Sequence, residues 1–203
     1  ESALCVARRS QKRRCRMPIV ETAQPRVSFT DLQHTPDDGR RYELYDGEVR
    51  VVPAPIPLHQ VVVDNIKRVL QAYSEAHAGL SFISPIDIVF SEYDVVQPDI
   101  VFFSQARRHL INLRVAIRHQ PDLVVEVLSP STSAHDRGRK MQMFARFGVP
   151  EYWIADPGLA CLEAHRLEGG VYRLAQAASG DDTVRSPTLD ALAFPVRDAF
   201  REP

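Results

Sequence analysis

Residues 122–130 read Asp-Leu-Val-Val-Glu-Val-Leu-Ser-Pro, and no other run in the chain limits its fold so strongly. An almost unbroken β-branched stretch of five to six residues predicts a central strand covered on both faces. Glu126 stands in the middle of it. An ionised carboxylate removed from water costs roughly several kcal/mol after relaxation, so Glu126 must be paired, protonated, bound to a cation or placed at the lip of a cleft. The next stretch, residues 134–147, predicts a helix. At about 100° per residue, Lys140 falls between Met143, Phe144 and Phe147 on its apolar face. One such lysine, taken alone, is usually a stem lying along the core edge with its head in water. Following a strand glutamate, it is a candidate partner for that carboxylate.

A second strand, residues 97–103, reads Gln-Pro-Asp-Ile-Val-Phe-Phe, with Asp99 near its start and Pro98 where a strand tolerates proline. Two strand-borne acids and an inward lysine suit a metal-dependent phosphodiesterase. Hard oxygen ligands match Mg²⁺ or Mn²⁺, which keep several waters, and an ammonium can position a water or offset developing charge.

At these residues the chain resembles the PD-(D/E)XK nuclease superfamily and, within it, the Uma family of endonucleases. The blocks that carry the resemblance are Tyr42-Glu43-Leu44-Tyr45-Asp46-Gly47-Glu48, Val96-Gln97-Pro98-Asp99, the run from Pro121 through Glu126 to Thr132, and Gly148-Val149-Pro150-Glu151-Tyr152-Trp153. They occur in order and span about residues 29–200. The resemblance implies a restriction-endonuclease-like α/β core and DNA hydrolysis with Mg²⁺, Mn²⁺ being a possible substitute. Asp99, Glu126 and the Val127 carbonyl would hold the metal, and Lys140 would assist the attacking water. An upstream acid is also implied, for which Glu43 is preferred to Glu48, and so is a supporting histidine, His59. Two positions depart from the pattern. Leu128 stands where the superfamily's lysine usually follows the glutamate, so Lys140 must take that part from the next helix. Phe144 stands where relatives often carry a tyrosine.

With 203 residues, 44% hydrophobic and 25% charged, the chain has enough apolar surface for one packed domain. No apolar run reaches membrane-spanning length. Cys5, Cys15 and Cys161 form neither an even disulfide set nor a Cys-x-x-Cys knuckle, and no secretory core follows the basic start, which favours a cytoplasmic protein. The first twenty residues hold six basic side chains against Glu1, a net +5. The remainder must then carry −6 to give the chain's −1. That balance is awkward for a partner whose phosphates dominate affinity, so a local basic strip or a bound metal must offset it. Arg107, Arg108, Arg114 and Arg118, with His109 and His119, are candidates for phosphate contact, although an ordinary solvated connection explains them equally well. Residues 1–26 read as a basic, disordered extension without function, Met17-Pro18 being a plausible natural start, and residues 27–203 as the domain.

Elsewhere, residues 28–34 predict a short helix and Pro36-Asp37-Asp38-Gly39 a turn. Asp46-Gly47 predicts a two-residue hairpin between residues 41–46 and 48–53. A long helix is expected over 58–77, its core stripe including Val62, Ile66, Val69, Leu70 and Tyr73, with His59 in the first turn. Residues 151–156 predict a strand with Trp153 in the core, 162–167 and 171–177 a hairpin, and 196–200 a short helix. The fold class is therefore a single α/β domain, a mixed central sheet flanked by helices. The expected function is a metal-dependent endonuclease acting on DNA, with a homodimer as a possible assembly. The competing class is a catalytically inactive nuclease-fold module, binding nucleic acid or protein, in which the acids and lysine form a structural ion pair.

Overall fold

The chain alternates strands and helices from Phe29 onward, and in the computed structural model residues 25–35 and 38–203 are described. Residues 1–24 of the expected 1–26 extension and the turn residues Pro36 and Asp37 lie outside them. In order, the elements are α1 (Phe29–Gln33), β1 (Arg41–Tyr45), β2 (Glu48–Val52), α2 (Pro57–His77), β3 (Leu80–Ile83), β4 (Ile88–Ser91), β5 (Asp94–Val96), β6 (Ile100–Phe103), α3 (Gln105–Arg108) and β7 (Leu123–Val127). Then come α4 (Ser133–His135), a π-helical turn at Asp136–Lys140, α5 (Met141–Arg146), β8 (Glu151–Asp156), β9 (Cys161–Glu168), β10 (Val171–Ser179), β11 (Thr183–Arg185), β12 (Ala193–Pro195) and a 3₁₀ turn at Val196–Asp198.

Six strands form the main sheet in the order β10-β9-β8-β7-β6-β3, antiparallel except for the parallel pair β7 and β8. That parallel pair needs a crossover, and the helical stretch from Ser133 to Arg146 supplies it. A second, antiparallel sheet, β2-β1-β5-β4, was not foreseen. Its strands β4 and β5 are four and three residues long, too short to show a period.

Alternation along β7 sends Leu123, Val125 and Val127 to one face, where they pack with Val62, Ile66 and Leu70 of α2 and with Trp153. Val124 faces the other way, onto Phe144, Tyr152 and Ile154. Glu126 shares the Val124 face, and period two along β6 gives Asp99 the face of Val101 and Phe103. Both acids therefore look toward the crossover helix. Each large side chain buried in these layers contributes about 1.5–3 kcal/mol, and Trp153 is wholly buried, as a core residue.

Two backbone positions hold the frame. Asp46 and Gly47 both have positive φ, 55° and 83°, the signature of the tight hairpin turn the Asp-Gly pair predicts. After α2 the chain turns through left-handed Ala78, and Gly79 passes so close to β6 that a Cβ there would lie 2.7 Å from the Phe102 ring and 2.9 Å from the Phe103 carbonyl oxygen.

Candidate active site

The end of β7, the lead-in to β6, the hairpin, the first turn of α2 and the π-helical turn converge on one small cavity of about 40 Å³. Lys140 lies at its floor, 5% exposed, with Nζ 2.8 Å from Glu126 Oε1 and 3.2 Å from Glu43 Oε1. The π-helical turn ends on Lys140, and wider turns of this kind recur at functional sites because they re-aim a side chain inside an otherwise regular helix. The predicted helix over 134–147 is thus present as three joined segments, Ser133–Arg146.

Between the two hairpin acids, Glu43 points inward. Its Oε1 also accepts the Gln97 N–H at 2.9 Å, and its Oε2 accepts the Tyr45 hydroxyl at 2.8 Å. Glu48 instead lies at the surface, paired with Arg139 at 2.6 Å. Asp99 Oδ2 accepts the Val127 N–H at 2.8 Å and lies 3.1 Å from His59 Nε2, so the aspartate is tied to the strand residue after Glu126 and to the start of α2. The structure accordingly brings together all five sequence candidates, Glu43, His59, Asp99, Glu126 and Lys140, with Val127 on the same cavity wall. Arg107 lies elsewhere. It follows the far end of β6, where Asp122 at 2.9 Å and the Gln120 carbonyl hold it, and Arg118 is paired with Glu92.

Several site residues escaped the sequence reading: Tyr45, Arg50, Gln97, Thr132, His135 and Asp136. Asp136 and Lys140 are the two ends of the π-helical turn, and both line the cavity. Phe144, where a tyrosine was noted as usual, is buried against Phe90 and Tyr152, and the hydroxyl beside the acids comes from Tyr45 instead.

Electrostatically the cavity is short of positive charge. Burial drives the Glu126 carboxyl well above the usual range; Lys140 offsets this only in part, and Asp99 and Asp136 add to it. Burial likewise raises Asp136, against the pull of Lys140 and a hydrogen bond from Thr132. For Lys140, burial opposes the charge, but Glu126, Glu43, Tyr45 and Asp136 outweigh it and hold the ammonium charged. His135 is pushed down to about 4 by burial and by the Arg50 charge, so its imidazole is neutral at physiological pH.

Buried polar atoms in folded proteins nearly always have partners, and exceptions call for explanation. Among the described residues four buried side-chain atoms accept or donate no hydrogen bond: His59 Nδ1, Gln97 Oε1, Glu126 Oε1 and His135 Nε2. Glu126 Oε1 nevertheless has an ion-pair partner, the Lys140 ammonium at 2.8 Å, so the atoms left without any partner are His59 Nδ1, Gln97 Oε1 and His135 Nε2. All four belong to residues that line this one cavity. Among the described residues, no three Asp, Glu, His or Cys side chains gather closely enough to enclose a metal unaided. Two carboxylates with open coordination, a strand carbonyl and space for water do fit a hard cation that retains part of its hydration.

Comparison with known proteins bears on the fold and the family. A putative nuclease of the DUF820 family from Anabaena variabilis, solved as a crystal structure, superposes with a TM-score of 0.71 at 18% identity, covering 86% of this chain and 97% of that one. At that identity the likeness establishes the fold alone, a mixed α/β architecture. No curated protein matches the chain. The family Uma2, described as "Putative restriction endonuclease", matches residues 28–197, which include every residue of the cavity. The chain belongs to the Uma2 family of restriction-endonuclease-like proteins.

Proposed function

We propose that this protein is a metal-dependent endonuclease that hydrolyses phosphodiester bonds in DNA, with the cavity around Lys140 as its active site. The observation that carries the reading is the gathering of three unpartnered polar atoms, His59 Nδ1, Gln97 Oε1 and His135 Nε2, around the buried Glu126–Lys140 pair in one acid-rich cavity. Glu43, Asp99, Glu126 and Asp136 line it against a single lysine. A structural ion cluster would gain by satisfying those atoms, since each buried group left unbonded costs about 1–3 kcal/mol. A site whose remaining partners arrive with substrate and metal leaves them open.

Asp99 and Glu126 would hold Mg²⁺ or Mn²⁺, with the Val127 carbonyl completing the protein's share. Bound there, the ion would polarise a phosphoryl oxygen and lower the pKa of a bound water. Glu43 fixes Lys140 in place, because its own oxygens are already occupied by Gln97 and Tyr45. The Lys140 ammonium then orients the attacking water and offsets charge developing on the phosphorus oxygens. His59 holds Asp99 in its rotamer through Nε2 and keeps Nδ1 open to the cavity.

Calorimetric titration tests the metal reading. Mn²⁺ and Mg²⁺ should give a saturable signal with the wild type that disappears in Asp99→Asn, with folding unchanged by circular dichroism. A folded wild type that shows no response to either ion would defeat the proposal and return the cluster to a structural role.

A further inference from the structure

Arg50 lies directly across from Glu43 in the hairpin register, so both side chains project from the same face of the sheet. An arginine opposite a glutamate normally pairs with it. Here it does not. The oxygens of Glu43 are occupied by the Gln97 N–H, the Tyr45 hydroxyl and the Lys140 ammonium, and among the described residues Arg50 forms no ion pair or side-chain hydrogen bond. It nevertheless lines the cavity and is only partly exposed. The other arginine of the lining, Arg41, is bound to the Ser84 hydroxyl and the Pro53 carbonyl. Its neighbour His135 also carries an unpartnered ring nitrogen into the same space.

An arginine beside four carboxylates that contacts none of them keeps its planar set of donors for an anion that the acids cannot supply. Guanidinium groups suit phosphate, because two parallel N–H donors match two phosphate oxygens. With Lys140 at the floor of the cavity and Arg50 at the mouth, the two cations are placed to meet different parts of one phosphodiester backbone. We propose that Arg50 is a substrate-positioning residue that binds a backbone phosphate of the nucleic acid at the mouth of the cavity. This rests on the nuclease reading and extends it, since it assigns the contact that overcomes the acidic field at the site. Base identity plays no part in it, so the contact favours no sequence.

The test compares the full-length wild type with Arg50→Ala and Arg50→Lys on labelled DNA oligonucleotides, measuring cleavage with Mg²⁺ or Mn²⁺. Binding is measured by fluorescence anisotropy over a salt series in a Glu126→Gln background. Arg50→Ala should weaken binding roughly 10- to 100-fold, as expected for a charge-assisted hydrogen bond. The salt dependence of log Kd should fall by about 0.7–0.9, one phosphate contact. KM should rise more than kcat falls, and the thermal midpoint should stay close to wild type, since among the described residues the guanidinium makes no hydrogen bond or ion pair. Arg50→Lys should restore the salt slope but only part of the affinity, because the point charge returns without the fork. Unchanged Kd and salt slope in Arg50→Ala, alongside wild-type cleavage, would overturn this inference and leave the nuclease reading standing. A wild type that neither binds nor cleaves would overturn both, and one that binds through Arg50 without cleaving would overturn only the nuclease.

Discussion

Replacing Lys140 with methionine should be among the most damaging single changes available in this chain, and the structure says where the damage falls. The ammonium is buried between Glu43 at 3.2 Å and Glu126 at 2.8 Å. Without it, Glu43 still has the Gln97 N–H and the Tyr45 hydroxyl, whereas Glu126 loses the one cation within ion-pair distance of it among the described residues. Removing one partner of a buried pair costs about 3–5 kcal/mol. For a domain of this size that is a fall in Tm of roughly 6–20 °C, at about 2–4 °C per kcal/mol. Glu126 escapes by staying protonated, so its folded-state pKa, already raised, rises further. A raised carboxyl pKa gives stability that is present below the unfolded value of about 4.5 and lost as pH rises through the folded value. The cost of Lys140→Met should therefore be small in mild acid and full near neutrality. Adding Glu126→Gln removes the orphaned acid and should recover about 2 kcal/mol of the loss. Urea unfolding followed through the fluorescence of the single, buried Trp153 measures all four corners of this cycle. A Lys140→Met loss below about 1 kcal/mol near neutrality, or strict additivity with Glu126→Gln, would refute the reasoning.

Two further outcomes follow from features away from the cavity. Glu151 is fully buried, its carboxylate accepting hydrogen bonds from the Trp153 indole and the Ser186 and Thr188 hydroxyls, yet burial still leaves its pKa raised. Its protonated form favours the folded state, so the wild type should lose stability relative to Glu151→Gln as pH climbs above about 4.5; a difference independent of pH from mild acid to neutrality would contradict this. Gly79→Ala should destabilise by about 1–3 kcal/mol, because the added methyl meets Phe102 and the Phe103 backbone. A thermal midpoint equal to wild type would show that β6 yields more easily than its packing indicates.

The parts of this fold that sequence made legible are those governed by a local period. The β7 run announced a central strand, and its alternation with the helical face of Lys140 put Glu126 and the lysine on the same side. The choice between Glu43 and Glu48 was not of that kind. Tyr45 pairs with Glu48, and Glu43 with Arg50, so both acids leave the hairpin on the same face. Only the crossover helix, lying over one end of the hairpin, buries Glu43 and leaves Glu48 to Arg139 at the surface. His135 and Asp136 were hidden in a polar stretch that reads as a solvated helix start. The π-helical turn that brings Asp136 and Lys140 into the cavity has no sequence period of its own. Arg50 was obscured because a charged hairpin position opposite a glutamate has a routine explanation, which the occupied oxygens of Glu43 remove.

Among the described residues no helix is long and apolar enough to cross a membrane. The hairpin and the start of α2 contribute Arg41, Arg50 and His59 to the cavity lining. Under the proposed function, each carboxylate that repels phosphate would also recruit a cation that attracts it, which would offset the negative balance.

The most direct test of the central claim is cleavage of supercoiled plasmid and labelled single-stranded DNA in Mg²⁺, Mn²⁺ or EDTA, with the wild type set beside Glu126→Gln and Lys140→Ala. The wild type should cut only with a divalent ion and neither variant should cut, with Glu126→Gln still folded. Cutting that persists in EDTA or in purified, folded Glu126→Gln would contradict it.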